Sequence, residues 1–121
     1  MYNLQDISVI IPTYNRVKDL NVTLNSIKPF LSQIKEILII DQSSDNKTKE
    51  LIRVLKNKKL KYFYSNISSL TRARNFGVSK VSKGSKIICF FDDDVTLGKN
   101  YFYNILKVLN KNKSPTNKLS Q

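Results

Sequence analysis

The segment ISVIIP, Ile7 to Pro12, is an apolar run closed by a proline, the pattern of a strand covered on both faces rather than one with a wet side. Val17, Leu20, Leu24 and Ile27 then recur at helical spacing between Arg16 and Ile27, and Pro29 marks the end of that helix. The unit repeats. EILIID, Glu36 to Asp41, reads as a second buried strand, and Leu51, Ile52, Val54 and Leu55 supply the apolar side of a helix starting at about Lys47. LKYFYS, Leu60 to Ser65, is more amphipathic and belongs nearer a sheet edge. A short helix from about Ser69 to Ser79 precedes KIICFFD, Lys86 to Asp92, a fourth strand whose apolar residues ask for cover on both faces. Phe102, Ile105, Leu106 and Leu109 lie on one side of a last helix, Tyr101 to Leu109. Strands alternating with helices in this rhythm predict an α/β fold, a doubly wound, mainly parallel sheet with helices on both faces and right-handed crossovers. The expected domain spans residues 1–112, with 113–121 a flexible tail.

Composition narrows the classes. A chain of 121 residues is one domain's worth, and 40% hydrophobic with 25% charged residues is ordinary globular usage, which excludes a disordered or fibrous chain. The longest apolar stretches, Ile37 to Ile40 and Ile87 to Phe91, fall far short of the roughly 18 residues that span a bilayer. The N-terminal segment lacks the features of a signal peptide, so a cytoplasmic location is expected. Cys89 is the single cysteine and histidine is absent, which excludes an internal disulfide, a common zinc site and histidine acid/base chemistry. The net charge of +12 favours anionic partners without choosing among polyanions, acidic lipid surfaces and phosphorylated ligands, and lysine as compositional filler accounts for much of it.

In an open α/β sheet, ligands bind beyond the carboxyl ends of the strands, where strand order reverses. The loops there carry Thr13-Tyr14-Asn15-Arg16, Asp41 with Gln42-Ser43-Ser44-Asp45, Thr71-Arg72-Ala73-Arg74-Asn75 and Asp92-Asp93-Asp94. Three adjacent carboxylates repel one another unless a cation is present, and an oxygen-only ligand set points to Mg2+ or Mn2+ held by one or two carboxylates together with substrate phosphates. Helix capping competes with ligand binding as the role of Thr13, Asn15 and the aspartate trio, and is the favoured role of Asp45.

Taken together, ISVIIPTYNR, EILIIDQSSD, the TRARNFG segment and CFFDDDV resemble the N-terminal, nucleotide-sugar-binding half of the inverting family 2 glycosyltransferases with a GT-A fold. Each motif alone is weak; four in the family's order are specific. The resemblance covers about Ile7 to Leu109. It implies a nucleotide-diphosphate sugar, usually a uridine diphosphate (UDP) sugar, used for glycosyl transfer in surface polysaccharide or glycan synthesis. It places nucleobase and ribose on Pro12, Thr13, Tyr14 and Arg16, a base-accepting carboxylate at Asp41, and guanidinium and amide contacts at Arg74 and Asn75. Asp92 and Asp94 match the D-x-D motif, one toward ribose and the other toward the metal, with Asp93 as substitute. Where the family often has D-D-G-S this chain has Asp41-Gln42-Ser43-Ser44, so the loop lacks its glycine and one acid.

Inverting transfer also needs a base to deprotonate the acceptor, which the family carries downstream of D-x-D. The 27 residues from Val95 to Gln121 contain no acid, and Asp19, Glu36 and Glu50 are expected away from the rim. The catalytic base and the acceptor are therefore unassigned, and the expectation is a donor half ended early, with an uncovered strand edge that invites self-association. Two other readings compete. Asp92-Asp93-Asp94-Val95-Thr96 satisfies the D-x-D-x-T signature of haloacid-dehalogenase-like phosphatases, but too little chain follows for that family's further residues. The charge alone would also suit a module binding nucleic acid or a membrane surface, though no motif for specific nucleic-acid recognition is present. Peripheral association with the cytoplasmic membrane face is compatible with the glycosyltransferase reading.

Overall fold

The computed structural model describes residues 1–112; the tail expected at 113–121 lies outside them. Four strands, β1 (Ile7–Thr13), β2 (Glu36–Asp41), β3 (Leu60–Tyr64) and β4 (Ile87–Phe90), form one parallel sheet in the order β3-β2-β1-β4. The helices are α1 (Val17–Ile27), α2 (Lys47–Leu55), α3 (Leu70–Lys80) and α4 (Tyr101–Asn112). The chain steps outward from β1 to β2 to β3 and then returns past β1 to β4, so strand order reverses at β1. The fold is the α/β sheet expected, with short three-residue turns at Leu4–Asp6 and at Lys28–Phe30, where Pro29 sits.

Alternate residues of the two inner strands feed two apolar layers. Ile7, Val9, Ile11, Ile37 and Ile39 pack with Leu20, Leu24 and Ile27 of α1, Ile52 of α2 and Phe102 of α4. On the other face Ile10, Leu38 and Ile40 meet Ala73 of α3, backed by Phe63 and Phe76. Every residue of β1 and β2 is buried, as their unbroken apolar text requires. Gly77 lets α3 approach β1 closely, because a Cβ there would lie 2.6 Å from Cγ2 of the fully buried Ile10.

One strand departs from expectation. The apolar run of β4 was expected to need cover on both faces, yet Ile88 and Phe90 are 38% and 44% exposed; its place at the sheet edge agrees with the uncovered edge expected of the fourth strand. Both residues project to the α3 side of the sheet, where α3 packs chiefly over β1 and β2 and reaches β4 with the Arg74 guanidinium beside the Phe90 ring. β3, expected nearer an edge, is the other edge.

Candidate functional site

The parallel register brings the carboxyl ends of β1 and β2 level, Thr13 opposite Asp41, while β4 stops opposite Ile10 and releases Asp92-Asp93-Asp94 beside the end of β1. An open cleft of about 450 Å³ lies at this switch point, lined by Pro12, Thr13, Tyr14 and Arg16 from the β1–α1 loop, Gln42 after β2, Ser68, Ser69 and Leu70 at the start of α3, and all three aspartates.

The three aspartates differ. Asp93 is buried: the Thr13 hydroxyl donates to its Oδ2 at 2.9 Å, and the Thr23 hydroxyl donates to its backbone carbonyl at 3.0 Å and to that of Val95 at 2.7 Å. Burial raises the Asp93 carboxyl above the ordinary range, with Asp94 and Asp19 adding to the effect and Thr13 and Arg16 opposing it. Asp92 and Asp94 are exposed on the cleft wall. Arg16 lies over the group, Nη1 3.6 Å from Asp93 Oδ1, Nη2 3.3 Å from Asp94 Oδ2 and Nε 3.2 Å from Asp19 Oδ2. The Asp19 hydrogen bond and the charges of Asp93 and Asp94 hold the guanidinium more firmly protonated than usual. Asp19 thus stands closer to the rim than its helical position implied.

Thr13 and Asn15, considered as helix caps, do other work. The residue preceding α1 is Arg16, with no side-chain cap, and Asn15, at φ +52°, straps two loops together. Its N–H donates to Ser43 Oγ at 2.8 Å, and its Oδ1 accepts from the Ser44 N–H at 3.0 Å. Asp45 does not cap in the expected place either, since Asn46 precedes α2; Asp45 Oδ1 accepts from the Lys47 N–H at 3.0 Å.

Asp41 shares the rim but does not line the cleft. It is fully buried, accepting from the Tyr62 hydroxyl at 2.5 Å and the Ser43 N–H at 3.0 Å. Burial and the hydrogen bond to Asp41 both raise the Tyr62 phenol. Arg74 and Asn75 do not line the cleft either. The Arg74 guanidinium lies 5.6 Å from the Phe90 ring centroid, with its Nε buried and unpaired among the described residues, and Asn75 is exposed. Gln42, placed on the rim loop by the sequence but not singled out as a contact, and the Ser68-Ser69-Leu70 corner, which sequence reasoning passed over, do line it. The Gln42 amide donates to the carbonyls of Ile67 and, at 2.9 Å, Ser69, joining the β2 loop to the start of α3. The signal available for Gln42 was its place directly after Asp41 at a strand exit.

The donor set suits a hard divalent cation: oxygen only, two accessible carboxylates and a resident guanidinium that marks the demand for positive charge. Among the described residues no group of three or more His, Cys, Asp or Glu side chains could hold a metal. Burial pushes the Cys89 thiol up to about 11, so it offers no nucleophile near neutral pH.

Comparison with known proteins agrees with this arrangement. The chain is 36% identical over 110 residues to an uncharacterized glycosyltransferase of Rickettsia bellii, covering 88% of this chain and 15% of that protein. The chain therefore spans less than a fifth of that relative's length. A mannosyltransferase from Pyrobaculum calidifontis, solved in complex with GDP-Man and Mn2+, superposes with a TM-score of 0.76 at 20% identity over 92% of this chain and 33% of that one. S. aureus TarS 1-349 in complex with UDP-GlcNAc superposes with a TM-score of 0.73 at 21% identity over 88% and 31%. These likenesses show the GT-A fold. Residues 8–115 match the family model Glycosyl transferase family 2, and the chain belongs to that family.

Proposed function

We propose that this chain binds the nucleotide-diphosphate sugar of a glycosyl transfer reaction, with UDP-sugar the favoured donor. The observation carrying the reading is the exposed pair Asp92 and Asp94 on the wall of a nucleotide-sized cleft, at the point where strand order reverses. Mg2+ or Mn2+, when bound, would neutralise the diphosphate and ease its departure; Asp94 and Asp92 would hold it. Thr13 and Thr23 fix Asp93 and with it the segment that presents these two acids. Tyr14, about half exposed on the cleft wall, offers an aromatic face to a nucleobase. Asp41, bonded to Tyr62 and Ser43, serves this site by fixing the β2–α2 loop rather than by touching the donor.

The base that activates the acceptor, and the acceptor itself, are left unassigned among the cleft residues. The +12 charge supports the further proposal that the protein works in the cytoplasm beside an anionic membrane face. Calorimetric titration with UDP tests the donor reading. Binding should appear with Mn2+ and weaken at least tenfold when the metal is chelated; no binding with Mn2+ present contradicts it.

A further inference from the structure

We infer that Arg16 is a resident counter-ion that a divalent cation must displace, so that the metal and the nucleotide diphosphate bind this cleft far better together than apart; the inference rests on the donor-site reading. Each of the three guanidinium nitrogens faces a different carboxylate, those of Asp19, Asp93 and Asp94. Asp94 is also one of the two accessible carboxylates that a cation would use, and a guanidinium and a divalent cation repel each other at one carboxylate. Arg16 is built to leave. Its side chain is 47% exposed, and ion pairs of that kind are weak and exchangeable.

Its backbone, in contrast, is held in place. Asn15 is fastened to Ser43 and Ser44, and the Arg16 carbonyl accepts from the Leu20 N–H at 2.9 Å in the first turn of α1. A displaced guanidinium consequently stays on its tether at the wall of the same cleft, where a diphosphate is the anion available to it. The metal alone must break the Arg16 pairs without replacement. With the diphosphate present, Arg16 exchanges one anion for another, which is a coupling between the two ligands.

Titration of the full chain with Mn2+, followed by the electron paramagnetic resonance signal of the free ion, tests the assignment with and without UDP. Arg16→Gln should bind Mn2+ alone about three- to tenfold more tightly than wild type, on the scale of the exposed pairs removed, and should gain less affinity when UDP is added. Equal or weaker Mn2+ binding by Arg16→Gln, with wild type still binding Mn2+ and UDP together, overturns the counter-ion role and leaves the donor site standing. Failure of wild type to bind Mn2+ even with UDP overturns both. A readout on unaltered protein covers a variant that does not fold: the Arg16 Nε–H resonance should move when Mg2+ and UDP are added together, and a resonance that stays in place contradicts displacement.

Discussion

The two ends of the sheet each carry a cluster of charge, and they are built to opposite specifications. At the amino end, the fully buried Glu36 carboxylate accepts from Ser8 Oγ at 2.6 Å, Lys61 Nζ at 2.6 Å, Ser82 Oγ at 2.7 Å and the Ser82 N–H at 2.8 Å. Burial by itself would raise this carboxyl; the donors, Lys61 foremost, override that and hold it at about 2 against an ordinary 4.5. At the carboxyl end, only Asp93 is enclosed, while Asp92 and Asp94 stand in a cleft with a half-exposed arginine as their neighbour. A carboxylate whose lone pairs are filled from within the protein ties β1, β2, β3 and the end of α3 together and has nothing left for a ligand. Carboxylates left open at a strand-order reversal add little to folding and remain free to bind.

The comparison can be broken first at Glu36. Glu36→Ala strands buried donors and should lower the unfolding free energy by about 3 kcal/mol in urea titration, with UDP binding by the folded protein unchanged. A variant of native stability would remove the structural role. An acid titration reads the same cluster in wild type. Because the folded carboxyl lies below its unfolded value, its contribution is complete above about 4.5 and is lost as the pH falls toward about 2. That loss should amount to about 3 kcal/mol and disappear in Glu36→Gln.

At the opposite rim the expected signs reverse. Asp94→Ala should weaken Mn2+-dependent UDP binding at least tenfold, about 1.4 kcal/mol, while changing stability by less than about 0.5 kcal/mol. A stability loss like that of Glu36→Ala would erase the distinction between the rims. The smallest effect belongs to the bare β4 edge. Wild type should self-associate with rising concentration in sedimentation velocity, and Phe90→Lys should abolish this with little change in stability, because a charge on an open edge blocks strand-to-strand pairing. Sedimentation of wild type as a monomer at all concentrations would show that the edge is protected by its twist or its neighbours.

The elements were legible because β1 and β2 are buried on both faces, leaving an unbroken apolar signature, and because α1 repeats its apolar residues at helical spacing. The aspartate cluster was legible too, since adjacent like charges at a strand exit need an explanation. The exposed face of β4 was not, because five consecutive apolar residues look alike whether or not a helix covers both of their faces. Nor could local text show that Arg74 turns toward Phe90, that Asn15 clasps the β2–α2 loop, or that Gln42 bridges to Ser69. Those are contacts between loops distant in the chain, decided by the sheet that carries them. The Glu36 cluster was hidden in the same way: Ser8, Lys61 and Ser82 give no sign in sequence that they surround one carboxylate.

The contrast between the rims is tested most directly by paramagnetic broadening of amide resonances in the full chain when Mn2+ is added with UDP. Signals from Thr13, Arg16 and Asp92 to Asp94 should broaden at low Mn2+, while those of Glu36, Lys61 and Ser82 stay sharp. Broadening centred on Glu36, or no localised broadening at all, would contradict the assignment of the donor site to the carboxyl rim.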